Sequence, residues 1–254
     1  MSYATTKTCG AVSVVTLNRP ERLNAISGEL LEDFHRALDA VNRDPATHAV
    51  VIAGEGRAFC AGDDLKEFDR QTESDASIRE HIERIQRITR DLMFNDKPVI
   101  GAIHGFAVGG GFEWLLNCDL VVAADDLICF FPEMAWGQFV TGGVTSLLPQ
   151  TVGYQRAMEL WLLGERQGAQ QLLAMGIVNR VVARDLMFDT ALDIAQRVAG
   201  LSRLSVSKLK QLVNRDLSAT LAHSLDLETE ATIDTFKNPD AAQRVGAFAK
   251  RRPA

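Results

Sequence analysis

The amino-acid sequence predicts an α/β fold ending in a helical C-terminal region. Two observations carry that prediction. Short apolar runs bounded by turn residues alternate with helix-period patterns over the first part of the chain, the order expected of strands joined by crossover helices. From about residue 155 helical patterns take over, and no Pro/Gly-rich linker separates the two regions. The expected organisation is an α/β core over residues 1–195 carrying a helical appendage over residues 196–254, not two independent domains.

The elements follow in order. The chain starts almost at once with a strand, and residues 11–17 (AVSVVTL) are rich in β-branched side chains and end at Asn18-Arg19-Pro20, as a strand would. From Ser27, an N-cap residue type, the period becomes helical: Leu30, Leu31, Phe34, Leu38 and Val41 share a face until Asp44-Pro45 stops the run. Residues 49–53 (AVVIA) form a short continuous apolar run, the pattern of a strand buried on both faces. Residues 66–90 are strongly charged and read as a surface loop, then a helix with Ile78, Ile82, Ile85 and Ile88 on one face. Residues 98–103 (PVIGAI) and 119–123 (DLVVA) are two further strands. Helices are expected over residues 154–163 and 168–176, and again between residues 186 and 251.

Composition narrows the function. With 254 residues, 46% of them hydrophobic, the chain can bury a large core, yet no apolar run approaches the roughly 20 residues that span a bilayer. A net charge of -6 disfavours general nucleic-acid binding, which needs a basic footprint. No basic segment followed by an apolar one opens the chain, so a cytoplasmic location is expected, with no membrane and no nucleic-acid partner. Cys9, Cys60, Cys118 and Cys129 are widely spaced and are expected as reduced thiols; the scattered histidines suggest no metal cluster. No dinucleotide fingerprint, P-loop, nucleophile elbow or zinc-binding His pair can be written through the sequence.

The chemistry concentrates in residues 105–133, GFAVGGGFEWLLNCDLVVAADDLICFFPE. Glu113 directly follows a triple glycine, and Glu133 comes twenty residues later, each among apolar neighbours. Burial raises a carboxyl's pKa and makes it useful for proton transfer. Gly109-Gly110-Gly111 opens a helical run, where unpaired N–H groups favour negative charge; close helix–strand packing would use the same glycines. Residues 59–64 (FCAGDD) repeat the design, with an apolar lead-in, a turn glycine and the expected start of another helix. Two such donors aimed at one oxygen would make an oxyanion hole.

These blocks together resemble the enoyl-CoA hydratase/isomerase (crotonase) superfamily over nearly the whole chain. The matching stretches are LNRPERLNAI (residues 17–26), GRAFCAGDDL (56–65), KPVIGAIHG (97–105) with the triple glycine, LGE (163–165) with Ala169 and GIVNRVV (176–182), and the terminal FAKR (248–251). The resemblance implies a spiral of ββα units, C-terminal helices that build a homotrimer or a hexamer of two trimers, and an acyl-CoA thioester as ligand. It implies Glu113 and Glu133 as the catalytic pair of a hydratase, and the N–H groups of Asp63 and Gly110 as the oxyanion hole. Arg22, Asn24, Ala25, Ala61, Gly62, Leu65 and Gly109 would contact the coenzyme A portion or the thioester, with Trp136 and Phe139 shaping the acyl pocket. No cofactor is implied, because coenzyme A enters as part of the substrate. Isomerases of this type often keep only the second glutamate, and the dehalogenase relatives need an acid that residues 137–145 (GQFVTGGVT) lack. The expected activity is hydration of a trans-2-enoyl-CoA. Alternatives are double-bond isomerisation, another reaction of the superfamily on an aromatic or branched acyl-CoA, and a non-catalytic acyl-CoA-binding subunit. Three departures stand out: Asp63 where a small residue is usual, Phe112 before the first glutamate, and the aromatic segment after the second.

Overall fold

The computed structural model describes the backbone of residues 2–250, with the side chains of all but residues 69, 215–219 and 248–250. Of the expected landmarks, the terminal 248–251 block therefore lies outside the described side chains. Strands β1 (Ala4–Cys9) and β2 (Val12–Leu17) form an antiparallel hairpin. Helix α1 (Gly28–Arg43) follows, capped by the Ser27 hydroxyl accepting from Leu30 N–H, and β3 (Ala49–Gly54) returns parallel to β2. After a short helix α2 (Phe68–Gln71) and the long α3 (Asp75–Met93), the chain twice repeats one unit. That unit is β4 (Val99–Ile103), β5 (Phe106–Val108) and α4 (Gly110–Leu116), then β6 (Leu120–Ala124), β7 (Ile128–Phe130) and α5 (Glu133–Trp136). Each first strand joins the six-stranded sheet β1-β2-β3-β4-β6-β9, and each second strand joins a three-stranded sheet, β5-β7-β8. The result is a spiral of ββα turns.

The remaining elements are α6 (Val144–Val152), α7 (Tyr154–Leu163), β8 (Gln167–Gly168), α8 (Ala169–Ala174), β9 (Arg180–Val182), α9 (Arg184–Ala199), α10 (Arg203–Lys237) and α11 (Pro239–Lys250). The short β5, β7, β8 and β9 gave no separate sequence signal, being too brief to show a period. Helix α9 runs through the expected division at residue 195. Its Met187, Ala191, Ile194 and Ala195 pack on Val51, Ala53, Ile100 and Val122 of the large sheet, so the helical appendage begins at α10. The other face of that sheet, through Val15, Leu17, Val50, Ile52, Val121 and Ala123, meets Leu30, Phe34 and Leu38 of α1 and Ile85 and Ile88 of α3. Alternate residues of the parallel strands thus serve opposite cores, which explains their continuous apolar runs.

One expectation needs correction. No helix starts at residues 59–64. Cys60 bridges Ala107 and Asp63 bridges Ile26, so the segment runs extended between β5 and the turn before α1. Backbone pairing on both sides, Cys60 N–H to Phe106 O and Ile26 N–H to Gly62 O, outweighs any local helical preference.

Candidate active site

The site lies where the extended 59–64 segment meets the start of α4. Asp63 and Gly110 both abut Ile26: Asp63 through the bridge, and Gly110 so closely that a Cβ there would come within 2.6 Å of Ile26 Cδ1. Among the described residues, neither the Asp63 nor the Gly110 N–H donates to a protein acceptor. Gly110 is the first residue of α4, so its N–H is one of the unpaired donors at the positive end of a helix. The two donors expected from the sequence are therefore brought together, one from a helix start and the other from extended backbone.

Both glutamates converge on this turn. Glu133 Oε1 lies so close to Gly109 (φ 51°) that any side chain there would collide with it. Glu113 Oε2 lies 4.0 Å from a Cβ built on Gly110 and 2.8 Å from one built on Gly142. Gly111 serves packing instead, since a Cβ there would press on Cys60 O at 2.5 Å. The triple glycine thus does both tasks that the sequence left open.

The two carboxyls have different surroundings. Glu113, 1% exposed, accepts from Thr141 N–H at 2.9 Å and from the Thr141 hydroxyl at 3.1 Å. Burial pushes its pKa up to about 8, against the pull of Thr141 and with the nearby charges of Glu228 and Asp63 adding to the rise. Glu133 is buried too, and its Oε2 has no hydrogen-bond partner among the described residues. Its pKa is raised well above the ordinary carboxyl value by burial first, then by Glu113 and Asp63. Of the two, Glu113 carries the two Thr141 donors that favour its ionised form, whereas Glu133 has only its own backbone N–H.

A third buried acid was not evident in the sequence. Glu228 of α10 accepts from Gly143 N–H (2.8 Å), Thr145 N–H (3.0 Å) and the Thr145 hydroxyl (2.6 Å), closing the N-terminus of α6. Burial raises its pKa to about 7, while those three bonds lower it. Asn117 Nδ2 donates to Gly142 O at 3.2 Å. The loop that presents Thr141 to Glu113 is thus fixed just beyond Thr141, at Gly142 and Gly143. Thr141 lies 28 residues from Glu113, and Glu228 lies 85 residues from Gly143, so spacing gave no signal for either.

The other expected residues surround this centre. Asn24 is fully buried with its amide donating to Glu55 O and Ala58 O, so its side chain shapes the turn and does not reach outward. Arg22 is exposed, Ala25, Ala61 and Leu65 are half-buried, and Gly62 (φ 82°) is buried against Val108 O. Arg19 Nη1 to Asp64 Oδ2 (2.8 Å) ties the turn before α1 to the first loop. Trp136 is half-buried on α5, and Phe139 lines a groove with Met134 against Ala241 of α11 and Thr235 of α10. Cys60 also lies in the first loop, but burial pushes its thiol up to about 12, which removes it as a nucleophile at neutral pH. His81 of α3, in the apolar stripe between Ile78 and Ile82, faces Asp63. Its place on that stripe was the one signal that could have marked it.

The enoyl-CoA hydratase/isomerase family model matches residues 7–254. A probable enoyl-CoA hydratase of Rhizobium meliloti is 34% identical, covering 100% of this chain and 98% of its own. A mitochondrial enoyl-CoA hydratase of Pongo abelii is 32% identical over 96% of this chain and 82% of its own. Among solved structures, an enoyl-CoA hydratase/isomerase from Xanthobacter autotrophicus superposes with a TM-score of 0.88 at 30% identity, covering 100% of this chain and 99% of that one. One from Pseudoalteromonas atlantica gives 0.89 at 27% identity, covering 99% and 98%. With the spiral of ββα turns, the helical C-terminal region and two acids meeting at a glycine turn, this chain belongs to the enoyl-CoA hydratase/isomerase (crotonase) family.

Proposed function

We propose that this enzyme adds water reversibly across the double bond of a trans-2-enoyl-CoA. One observation carries the reading: two buried carboxyls with raised pKa values converge on the glycine turn at Gly110, whose N–H, like that of Asp63, has no protein acceptor among the described residues. The thioester oxygen accepts from the N–H groups of Asp63 and Gly110, which stabilise the enolate that forms when water attacks. Ionised Glu113 takes a proton from water as the new C–O bond forms at the β-carbon. The π electrons move onto the thioester, and Glu133, still protonated, delivers its proton to the α-carbon as the enolate collapses. The net change is one O–H bond of water and one π bond lost, one C–O and one C–H bond gained. Thr141 supports the division of roles, because its two hydrogen bonds favour the charged form of Glu113, while Glu133 has only its own backbone N–H and an Oε2 without a partner among the described residues.

Arg22, Ala25, Ala61, Leu65 and Gly109 are proposed around the coenzyme A and thioester portions of the substrate. The assembly proposed with this reading is a homotrimer or a hexamer, supported by exposed Leu204, Leu209 and Leu212 on α10 and checked by mass measurement in solution. A cytoplasmic location is proposed as well; among the described residues no helix is long and apolar enough to cross a membrane. Crotonyl-CoA hydration by the wild type, lost in both Glu113→Ala and Glu133→Ala, is the expected result. Consumption of a 3-enoyl-CoA that depends on Glu133 alone would put isomerisation in its place, and binding of acyl-CoA without any turnover would favour a binding subunit.

A further inference from the structure

Helix α6 opens at Gly143 with φ 75° and no side-chain cap. A capping serine or aspartate does not fit there, because a Cβ on Gly143 would collide with Leu221 Cδ1 of α10. That same helix supplies the missing acceptors instead. Glu228, 1% exposed, accepts from Gly143 N–H with one oxygen and from the Thr145 N–H and hydroxyl with the other. The preceding glycine meets the site. A Cβ on Gly142 would press on Glu113 Cβ and Oε2, both at 2.8 Å, and Thr141 just before it donates twice to Glu113. Gly142-Gly143 is thus a short link with Glu113 against one residue and α10 against the other. The seat of α10 is firm: Leu221 and Leu225 cluster with Met93 and Leu147, and Gln86 of α3 donates to Leu225 O (2.8 Å) and to the Thr229 hydroxyl (3.0 Å).

We propose that Glu228 is a positioning residue for the reaction: by holding Gly143 and Thr145 it sets the two Thr141 donors against Glu113. The proposal rests on the hydratase reading for what Glu113 does, and on the hydrogen bonds alone for the link itself. The seat calls for a carboxylate. Three donors converge on its two oxygens, and an amide of the same shape turns an NH₂ group towards one of them. Glu228→Gln therefore releases one holding point of the loop without changing the volume of the side chain.

The test compares Glu228→Gln with Ile233→Ala, which thins the packing of α10 on Ile78 and Ile82 of α3, away from the loop. Both are measured at pH 8, above the Glu228 pKa of about 7. In crotonyl-CoA hydration, Glu228→Gln is expected to lower kcat about ten- to a hundred-fold with KM within about two-fold of the wild type, and Ile233→Ala to leave both near it. Hydrogen exchange of the Thr141 N–H, followed by NMR, reads the link without turnover. It should be about ten-fold faster in Glu228→Gln and near the wild-type rate in Ile233→Ala. On a Thr141→Val background, Glu228→Gln should cost less in kcat than on the wild type, because part of what it positions is already gone. Wild-type kcat or wild-type Thr141 exchange in Glu228→Gln, equal losses in the two variants, or costs that multiply in full overturns the proposal. If Glu228→Gln fails to fold, Thr145→Val takes its place, removing only the hydroxyl donor, with a several-fold loss in the same direction. Failure of the wild type to hydrate crotonyl-CoA counts against the hydratase reading, and Thr141 exchange then decides the positioning alone.

Discussion

Two shelves hold the two acids, and they are built differently. Glu113 sits on α4 and is gripped from across the site by Thr141, on a loop anchored by Asn117 and by Glu228 of the C-terminal helix. Glu133 opens the four-residue α5 after Pro132 and has one oxygen with no partner. Glu113 therefore carries two donors from across the site that favour its charge, and Glu133 carries burial, neighbouring acids and only its own backbone N–H. Two identical, equally buried side chains are thus set apart by hydrogen bonding more than by burial.

The largest effect expected is on chemistry. Glu113→Gln and Glu133→Gln should each lower kcat for crotonyl-CoA hydration by roughly 10²–10⁴-fold, the range of a lost general acid or base. If either variant keeps near wild-type turnover, the comparison reduces to a single working acid. Next comes Gly109→Ala. Its methyl strikes Glu133 Oε1 at a left-handed backbone position, and displacing that carboxyl should cost about 10²-fold in kcat. Glu113 is untouched by that methyl, whereas Gly142→Ala presses on Glu113 instead. Steady-state kinetics of the two alanine variants, read as pH profiles, separates the shelves.

Stability tests the electrostatic half of the comparison. Glu113 and Glu228 have folded-state pKa values raised to about 8 and about 7 from an ordinary 4.5. Their protonated forms are favoured by folding, so the contribution is fully present below pH 4.5. It is lost as pH rises through about 7 for Glu228 and about 8 for Glu113. Within those windows each group lowers stability by at most about 1.4 kcal/mol per pH unit. Urea unfolding should therefore show stability falling between pH 5 and 8, with a shallower fall below pH 7 in Glu228→Gln. A flat profile would remove the assignment of these acids as desolvated.

The smallest effect expected is the most selective. Thr141→Val removes the hydroxyl donor to Glu113 Oε2 and keeps the backbone donor to Oε1. The Glu113 pKa should rise further, moving the acid limb of the kcat/KM profile to higher pH. A several-fold loss at neutral pH corresponds to one hydrogen bond of about 1 kcal/mol. The other limb of the profile should stay in place; movement of both limbs would mean that the carboxyls titrate as one unit.

β1 to β4 and β6 of the large sheet, α1, α3 and the start of α4 were legible because each shows an apolar run or a helical period beside a turn, N-cap or glycine signal. The small sheet was not, because strands of two or three residues have no period to read. Glu113 and Glu133 were legible as acids in apolar company. Thr141 and Glu228 were not, because a threonine in a loop and a glutamate on a long helix look the same whether they face solvent or buried partners. The helix expected at residues 59–64 was misread for a related reason. Its backbone donors are taken by Ile26 and β5, partners that no local pattern announces.

By itself, the sequence determined the α/β class, the glycine turn, the two acids and the family, because apolar period and residue type are local properties. Only the tertiary structure decided which acid is hydrogen-bonded by Thr141, that the Asp63 N–H sits on extended backbone, and that Asp63 faces a buried histidine. Those outcomes depend on hydrogen bonds and burial between segments tens of residues apart, and a one-dimensional pattern does not encode such contacts.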